Sequence, residues 1–207
     1  MNTTATATTG TSATDTAPVR LAVVLASTRD GRFGPTVGTW FTGLAEQRDD
    51  LLVDVVDLVE TPVPYAMGWG DPAPADAALF AAVTPRLAAA DAFVVVTPEY
   101  NHSFPAPLKN LIDQHYVEWQ AKPIGFVAYG GLAGGLRAVE QLRQVFAELH
   151  AVTVRDTVSF HGAAGAFEGS EPRDPEGCGT AAKTMLDQVV WWARALRDAK
   201  SARPYGS

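Results

Sequence analysis

The sequence predicts an α/β fold in which helices cover both faces of a five-stranded parallel sheet. From Val19 onward, short apolar runs rich in β-branched residues alternate with longer segments of helical spacing, which is the pattern of consecutive β-α units. The third and fourth runs, at residues 92–97 and 123–129, are apolar on both faces, as the central strands of a covered sheet are. The chain has 207 residues, of which 47% are hydrophobic, so it can form one substantial core.

The individual elements follow the same alternation. We predict strands at residues 19–25, 51–57, 92–97 and 123–129, and a weaker strand within residues 151–160. We predict helices at residues 35–48, 75–90, 106–119, 135–150 and 179–199. The fourth helix places Val139, Leu142 and Phe146 at spacings of three and four, which puts these side chains on one apolar face.

The segments outside this alternation are tails and connections. Residues 1–17 are rich in Thr and Ala and lack both the basic start and the apolar block of a signal peptide, so we predict a disordered tail. Residues 18–200 are predicted to form one domain, and residues 201–207 a flexible tail. Residues 61–74 form a long Pro-rich connection of a kind that often carries function. The Gly, Glu and Pro content of residues 162–179 predicts a surface loop, to which we assign no role.

Charge and composition exclude several classes of protein. The formal net charge is -7, and no cluster of Lys and Arg provides the extended basic face that nucleic acid requires. No stretch approaches the roughly 20 apolar residues of a membrane span. Cys178 is the only cysteine, which excludes an intramolecular disulfide and is consistent with a reducing compartment. We therefore expect a soluble, cytoplasmic protein.

The loop after the first strand carries groups that bind phosphate. It contains the hydroxyls of Ser27 and Thr28 and the guanidinium groups of Arg29 and Arg32, and it precedes a helix whose positive N-terminus attracts anions. The Gly-x-Gly-x-x-Gly turn of a dinucleotide site is absent. The loop thus favours a terminal phosphate monoester, although an ordinary polar loop with solvated arginines has the same composition.

The loop after the third strand suits a flat heterocycle. Prolines stiffen it, so its backbone donors and acceptors and the side-chain amide of Asn101 can match the pyrimidine edge of a flavin. Tyr100 can cover a ring face or pack beneath it. His102 has no partners at metal-ligand spacing, nor has any other histidine, and we predict no metal site.

The loop after the fourth strand is unusually rich in glycine. Four of the six residues at 130–135 are Gly, which lets the backbone approach a flat ligand closely, although a tight strand-to-helix turn has the same requirement. The loop does not have the Gly-Lys-Ser/Thr ending of a P-loop. Ligands of a doubly wound sheet collect outside the carboxyl ends of the strands, so we expect these three loops to form one site.

Together the three loops resemble those of the NADPH-dependent FMN reductase family, a branch of the flavodoxin-like proteins. The block TPEYNHSFPAPLKNLID at residues 97–113 resembles the most specific signature of the family. STRDGRFGP at 27–35 is similar to its phosphate loop, and YGGLAGGLRAVEQLR at 129–143 to its ring-edge loop and the following helix. The resemblance covers residues 19–160 and implies a flavodoxin-like three-layer sandwich with strand order 2-1-3-4-5. Ala26 stands where the family commonly has glycine.

The resemblance also implies which residues bind FMN. Those implied to surround its phosphate are Ser27, Arg29, Arg32 and Phe33; those along the isoalloxazine are Pro98, Glu99, Tyr100 and Asn101; and those closing another edge of the ring are Tyr129, Gly130 and Gly131. Family members are typically homodimers with the flavin near the interface. Tyr116 and Trp119 are candidates for that contact, and core packing explains both equally well.

The activity that the resemblance implies is hydride transfer from NADPH or NADH to FMN, followed by reduction of a small acceptor such as free flavin or a quinone. The cofactor carries this chemistry, so no catalytic side chain is predicted. One alternative is a flavodoxin-like electron carrier that passes single electrons to protein partners. Another is an α/β interaction protein that has lost its cofactor.

Overall fold

The computed structural model describes residues 17–65 and 72–206. Residues 1–16 of the predicted tail (1–17) and residues 66–71 of the Pro-rich connection, which include Met67 and Trp69, lie outside the described residues. Five parallel strands form one sheet in the order β2-β1-β3-β4-β5, which confirms the predicted fold class and strand order. The strands are β1 (Val19–Leu25), β2 (Leu51–Asp57), β3 (Ala92–Pro98), β4 (Pro123–Tyr129) and β5 (Val152–Phe160).

Within residues 17–65 and 72–206, six helices accompany the sheet. They are α1 (Gly34–Glu46), α2 (Pro74–Ala89), α3 (Ala106–Asp113), α4 (Leu136–Glu148), α5 (Ala163–Ala166) and α6 (Pro175–Ala202). A two-stranded antiparallel hairpin, β6 (Phe167–Glu168) and β7 (Glu171–Pro172), follows α5. No helix in the described part of the chain is long and apolar enough to cross a membrane.

Two of the predicted helices differ from the structure by more than two residues at one end or both. The third ends at Asp113 rather than at residue 119, and turns follow it. The last begins at Pro175 rather than at residue 179, because the Asp174 carboxylate accepts a hydrogen bond from the backbone N–H of Gly177 at 2.9 Å and caps the helix. The predicted surface loop over 162–179 therefore contains a short helix, a hairpin and the start of α6.

The apolar residues form one cluster on each face of the sheet. Alternate residues of β3 point to opposite faces, so Val94 packs with α1 and α6 while Val95 packs with α2, α3 and α4. Trp119 is fully buried in the second cluster, where its ring centroid lies 4.6 Å from that of Phe93. Trp119 is thus a core residue, and its candidacy for a subunit contact is wrong.

The sheet register brings the ends of three strands to one level. The Ala26 N–H donates to the Val96 carbonyl at 3.0 Å, immediately after β1. The Glu99 N–H donates to the Tyr129 carbonyl at 3.0 Å, where β3 and β4 end together. The loops that follow β1, β3 and β4 consequently leave the same edge of the sheet side by side.

Candidate functional site

Three loops meet at the carboxyl edge of the sheet, and we name them L1 (residues 26–33), L3 (99–105) and L4 (130–135). The Ser27 and Tyr100 hydroxyls form a 2.6 Å hydrogen bond that joins L1 to L3. L3 also contacts L4, because a Cβ built on Gly130 would lie 3.4 Å from the Glu99 Cβ. The structure therefore brings together the three loops that the sequence singled out.

The two arginines of L1 are in different states. Arg32 donates through Nη1 and Nη2 to the two carboxylate oxygens of Asp57, at 2.5 and 2.7 Å, and through Nη1 to the Ser27 carbonyl at 2.9 Å. Arg29 is exposed, and its guanidinium carbon lies 5.8 Å from the centroid of the Tyr100 ring. Arg32 therefore anchors L1 to the end of β2, whereas Arg29 faces solvent beside the hydroxyl groups.

Asp57 is the partner that sequence reasoning missed. Burial opposes ionisation of its carboxyl, but the hydrogen bonds from Arg32 and from the Val59 N–H outweigh burial and lower the pKa of Asp57. The hydrogen bond to Asp57 likewise raises the pKa of Arg32 against the effect of burial. An acidic residue at the end of an apolar strand is the sequence feature that points to such an anchor.

Tyr129 lies beneath L1 rather than along an exposed edge. Its ring centroid is 6.0 Å from that of Phe33, and its hydroxyl lies 3.0 Å from the position of a Cβ built on Gly34, the first residue of α1. The hydroxyl oxygen is buried and has no hydrogen-bond partner among the residues that the structure describes. Phe33 itself packs edge-on to Phe167 at 5.3 Å, so its ring faces the core.

L3 is built on a tight turn of two left-handed residues. The backbones of Tyr100 and Ser103 exchange hydrogen bonds of 2.8 and 3.0 Å, and between them Asn101 and His102 have φ values of 49° and 74°. Positive φ is uncommon for residues other than Gly, and such strain concentrates at functional sites. The turn exposes Asn101 and His102 to solvent.

The start of α4 holds this strained turn in place. Gln141 Nε2 donates to the His102 carbonyl at 2.8 Å, and Ser103 Oγ donates to Gln141 Oε1 at 2.6 Å. The Glu99 carboxylate accepts hydrogen bonds of 3.2 Å from the backbone N–H and the Nη1 of Arg137. Sequence reasoning missed Arg137 and Gln141, although their spacing of four residues puts both on one face of the helix.

The glycines of L4 serve two different purposes. A Cβ on Gly135, which has φ of 87°, would lie 2.6 Å from the Ala128 Cβ, and a Cβ on Gly130 would lie 3.1 Å from the Gly135 nitrogen. These two glycines are needed for the turn itself. A Cβ on Gly131 would meet no atom of the described chain within 4 Å. The space on the Cβ side of Gly131 is therefore open, while its carbonyl accepts a hydrogen bond from the Gly162 N–H at 2.8 Å.

A cleft adjoins L1 on the side of the Pro-rich connection. It has a volume of about 270 Å³, and its lining includes Thr28, Val59, Val63, Tyr65 and Pro107. The Asn110 Nδ2 donates to the carbonyls of Val63 and Pro64 at 3.0 and 2.9 Å, which fixes the first part of the Pro-rich connection against α3. This contact positions the connection next to L1.

The phosphate of FMN fits the groups at L1. The N-cap residue of α1, Phe33, supplies no side-chain hydrogen bond to the helix, and the first turn contains no acidic residue. An anion at this helix end would meet the positive end of the helix dipole, the exposed Arg29 and the Ser27 hydroxyl. The open Gly131 and the exposed turn at Asn101 leave room for a flat ring beside these groups.

The fold and the loop edge define a class of protein. A doubly wound sheet of order 2-1-3-4-5 with its binding groups at the reversal between β1 and β3 is flavodoxin-like. Residues 19–165 match the sequence profile of the NADPH-dependent FMN reductase family. The chain belongs to this family, as the resemblance predicted.

Individual relatives agree with the family assignment. An NAD(P)H-dependent FMN reductase of Schizosaccharomyces pombe is 35% identical over 144 residues, which cover 61% of this chain and 64% of that protein. A 2-hydroxy-1,4-benzoquinone reductase of a Burkholderia species is 32% identical over 118 residues, 57% of this chain and 58% of that protein. The chain thus spans about three fifths of the length of these curated relatives.

A solved structure shows the same fold. The flavoenzyme NAD(P)H:(acceptor) oxidoreductase FerB from Paracoccus denitrificans matches with a TM-score of 0.65 and 23% sequence identity. The match covers 86% of this chain and 98% of that one. At this level of identity the likeness bears on the fold alone.

Proposed function

We propose that this chain is an NAD(P)H-dependent oxidoreductase that holds FMN at the edge formed by L1, L3 and L4. The observation that carries the proposal is the arrangement of an exposed guanidinium, a partly buried hydroxyl pair and open space at a glycine, all at the reversal of the strand order. Arg29 and Ser27 suit a phosphate monoester, and Gly131 and the L3 turn suit a planar ring. Membership of the family supports the same ligand.

When bound, FMN would supply the redox chemistry, which moves the two electrons and the proton of a hydride from the nicotinamide towards the acceptor. The protein contributes binding and orientation. Arg29 and the N-terminus of α1 neutralise the phosphate, and the backbone of Pro98, Glu99 and Asn101 lies along one side of the ring. Arg137 and Gln141 hold L3 in its strained form, so the ring is received by a preorganised surface.

We propose a quinone or free flavin as the acceptor. Support comes from the names of two relatives, one a benzoquinone reductase and the other an FMN reductase. Both acceptors have a planar conjugated ring, so they can stack on an exposed flavin face. The cytoplasmic location predicted from the sequence stays a prediction.

We further propose that the chain forms a homodimer with the flavin near the interface. Leu132 in L4 is 89% exposed and Tyr65 is 75% exposed, and both are large apolar side chains near the loop edge. Exposed apolar groups beside a ligand site are typical of a surface that a partner covers. Tyr116 lies at the other end of α3, against His150, so it suits this interface poorly.

A visible spectrum before and after anaerobic addition of NADPH tests the proposal. A yellow protein, or one that becomes yellow with added FMN, that NADPH alone bleaches rapidly is the expected result. Slow bleaching with a stable semiquinone would instead indicate a single-electron carrier. A colourless protein that ignores added FMN would contradict the proposal and favour an interaction protein without cofactor.

A further inference from the structure

The hydroxyl of Tyr129 is a buried polar group that lies beside the first residue of α1. Tyr129 is 5% exposed, and its oxygen has no hydrogen-bond partner in the described part of the chain. A buried hydroxyl without a partner destabilises the folded state, so this oxygen is retained at a cost. Tyr129 is the last residue of β4, and its hydroxyl lies below the start of α1, next to the proposed phosphate site.

Ser27 lies between Tyr129 and the exterior of L1. A Cβ built on Gly34 would be 3.0 Å from the Tyr129 hydroxyl and 3.7 Å from the Ser27 Cβ, so both side chains border the first residue of α1. Ser27 is 1% exposed, and its hydroxyl is engaged with that of Tyr100 at 2.6 Å. Tyr129, Ser27 and Tyr100 thus place three hydroxyls together under L1.

The Tyr129 hydroxyl stays protonated in this environment. Burial raises the pKa of Tyr129 and the neighbouring Tyr100 adds to the increase. A side-chain contact with Ser27 and the positive charge of Arg32 oppose the rise without cancelling it. The phenol is therefore a donor at neutral pH, and it carries no negative charge that would repel a phosphate.

We propose that Tyr129 is a positioning residue for the phosphate of the flavin and acts through Ser27. When a phosphate monoester occupies the end of α1, the Ser27 hydroxyl turns from Tyr100 to donate to the phosphate. The Tyr129 hydroxyl then donates to Ser27 Oγ and gains the partner that it lacks. The inference rests on the proposed function and makes Tyr129 a determinant of the preference for FMN over riboflavin.

The variant Tyr129→Phe tests this role because it removes one oxygen and keeps the ring that packs on Phe33. Dissociation constants for FMN and for riboflavin are measured by quenching of flavin fluorescence. We expect FMN to bind about tenfold more weakly, as the loss of one hydrogen bond to a buried group implies, and riboflavin to bind as before. We also expect the flavin-free variant to melt at the same or a higher temperature, because the unpaired hydroxyl is gone.

The matched control is Tyr205→Phe. Tyr205 lies at the other end of the molecule, where its hydroxyl contacts His150 Nδ1 at 3.0 Å. This variant should leave the affinities for both flavins unchanged. Equal weakening of FMN and riboflavin by Tyr129→Phe, or no change in either, would overturn the inference. The proposed function would stand in either case, because it depends on FMN binding by the wild-type chain.

A double substitution tests whether Tyr129 acts through Ser27. If it does, Ser27→Ala combined with Tyr129→Phe should weaken FMN binding no more than Ser27→Ala alone. Additive losses would contradict the proposal that Tyr129 acts through Ser27. Because the affinities are measured below the melting temperatures, the comparison stays valid if one variant melts at a lower temperature. A wild-type chain that binds neither flavin would instead overturn the proposed function, and with it this inference.

Discussion

Arg29 and Arg32 are three residues apart, yet the same side chain has opposite uses at the two positions. Arg32 is 16% exposed and makes a two-pronged ion pair with Asp57, so its charge is already compensated inside the protein. Arg29 stands over the face of Tyr100 in solvent, where its charge is available to an incoming anion. Arg29 is thus the arginine suited to the phosphate, and Arg32 holds the loop that presents it.

The variant Arg29→Ala should weaken FMN binding without destabilising the protein. Loss of a charge-assisted hydrogen bond to phosphate costs on the order of 1.5 to 3 kcal/mol, which corresponds to roughly a 10- to 150-fold rise in the dissociation constant. Fluorescence titration gives that constant, and chemical denaturation of the flavin-free protein gives the stability. Unchanged FMN affinity would refute the assignment of Arg29 to the phosphate.

The variant Asp57→Asn should destabilise the fold at neutral pH and lose that effect in acid. The pKa of Asp57 is lowered from its ordinary value of 3.8, so the ion pair contributes stability above that value and loses it as the pH falls through the lower folded pKa. We expect a loss of about 1 to 3 kcal/mol in the free energy of unfolding at pH 7.

Urea denaturation of wild type and Asp57→Asn from pH 7 down to about pH 3 measures this dependence. The two free energies should converge as the pH falls below the ordinary value of 3.8. Asp113→Asn is the control, because Asp113 pairs with Lys109 at the surface and should change stability little. A constant difference at every pH would contradict the role of the Asp57 charge.

At the residue scale, the sequence predicts which side chains cluster but not which atoms they contact. Ser27, Arg29 and Tyr100 come together as expected, because each follows the end of a neighbouring parallel strand. The position of Asp57 at the end of an apolar strand indicates an anchor, but the sequence does not say which of the two arginines of L1 reaches it. The burial of the Tyr129 hydroxyl was equally hidden, because a tyrosine at a strand end suits an exposed ring edge as well as a loop floor.

At the scale of elements, the site depends on two turns with unusual backbone. L3 holds Asn101 and His102 at positive φ, and α4 supplies the contacts that compensate this strain. L4 uses Gly135 where a Cβ would collide with Ala128. The turn in L3 therefore depends on α4, which supports the site through its hydrogen bonds to L3.

The glycines of L4 allow ligand obstruction to be separated from damage to the fold. Gly131→Val adds a side chain to open space, so the stability should stay within about 0.5 kcal/mol of wild type while FMN affinity falls. Gly135→Ala forces a Cβ to 2.6 Å from the Ala128 Cβ at a φ of 87°, so it should cost about 1 to 3 kcal/mol of stability. Thermal melting and flavin titration of both variants measure these effects.

We expect Gly131→Val to lower FMN affinity but not stability, and Gly135→Ala to lower the stability of the fold. Loss of stability in Gly131→Val with no loss of flavin binding would show that Gly131 belongs to the turn and not to the ligand surface. Gly130→Val is unsuitable for this purpose, because a Cβ there would already press on the Gly135 nitrogen at 3.1 Å. The effect of that variant on flavin binding would be indistinguishable from that of a distorted loop.

The bounds of the elements show where local pattern is insufficient. The strands match the prediction almost residue for residue, because apolar runs of β-branched residues have few other solutions in a covered sheet. The third helix is shorter than predicted, since Trp119 continues the apolar spacing but packs from a turn. The early start of α6 depends on a cap at Asp174 within a segment whose Gly and Pro content indicates a loop.

At the scale of the whole molecule, the parallel sheet turns distant segments into neighbours. Ser27, Tyr100 and Gly130 together span more than a hundred positions of the chain, but β1, β3 and β4 are adjacent and end at the same level. This convergence was predictable once the strand order was known, because every parallel strand has its carboxyl end at the same edge. Two large apolar side chains, Leu132 and Tyr65, remain exposed near this edge.

A homodimer that covers this edge should be detectable from the molecular mass in solution, and one charged substitution in the interface should dissociate it. Light scattering of the purified protein should give about 44 kDa, twice the 22.0 kDa of one chain. Leu132→Asp should shift the mass toward that of one chain, because a carboxylate replaces an apolar group that is 89% exposed in the isolated chain. FMN affinity should fall in parallel if the partner closes the flavin site.

Val117→Asp distinguishes this edge from exposed apolar surface in general. Val117 is 66% exposed and follows α3 at the opposite edge of the sheet, so its substitution should leave both the mass and the FMN affinity unchanged. If Val117→Asp dissociated the dimer and Leu132→Asp did not, the interface would lie away from the loops. The flavin would then bind to each chain separately, and a single chain would have to shield one face of the ring, for which the exposed turn at Asn101 and His102 offers little cover.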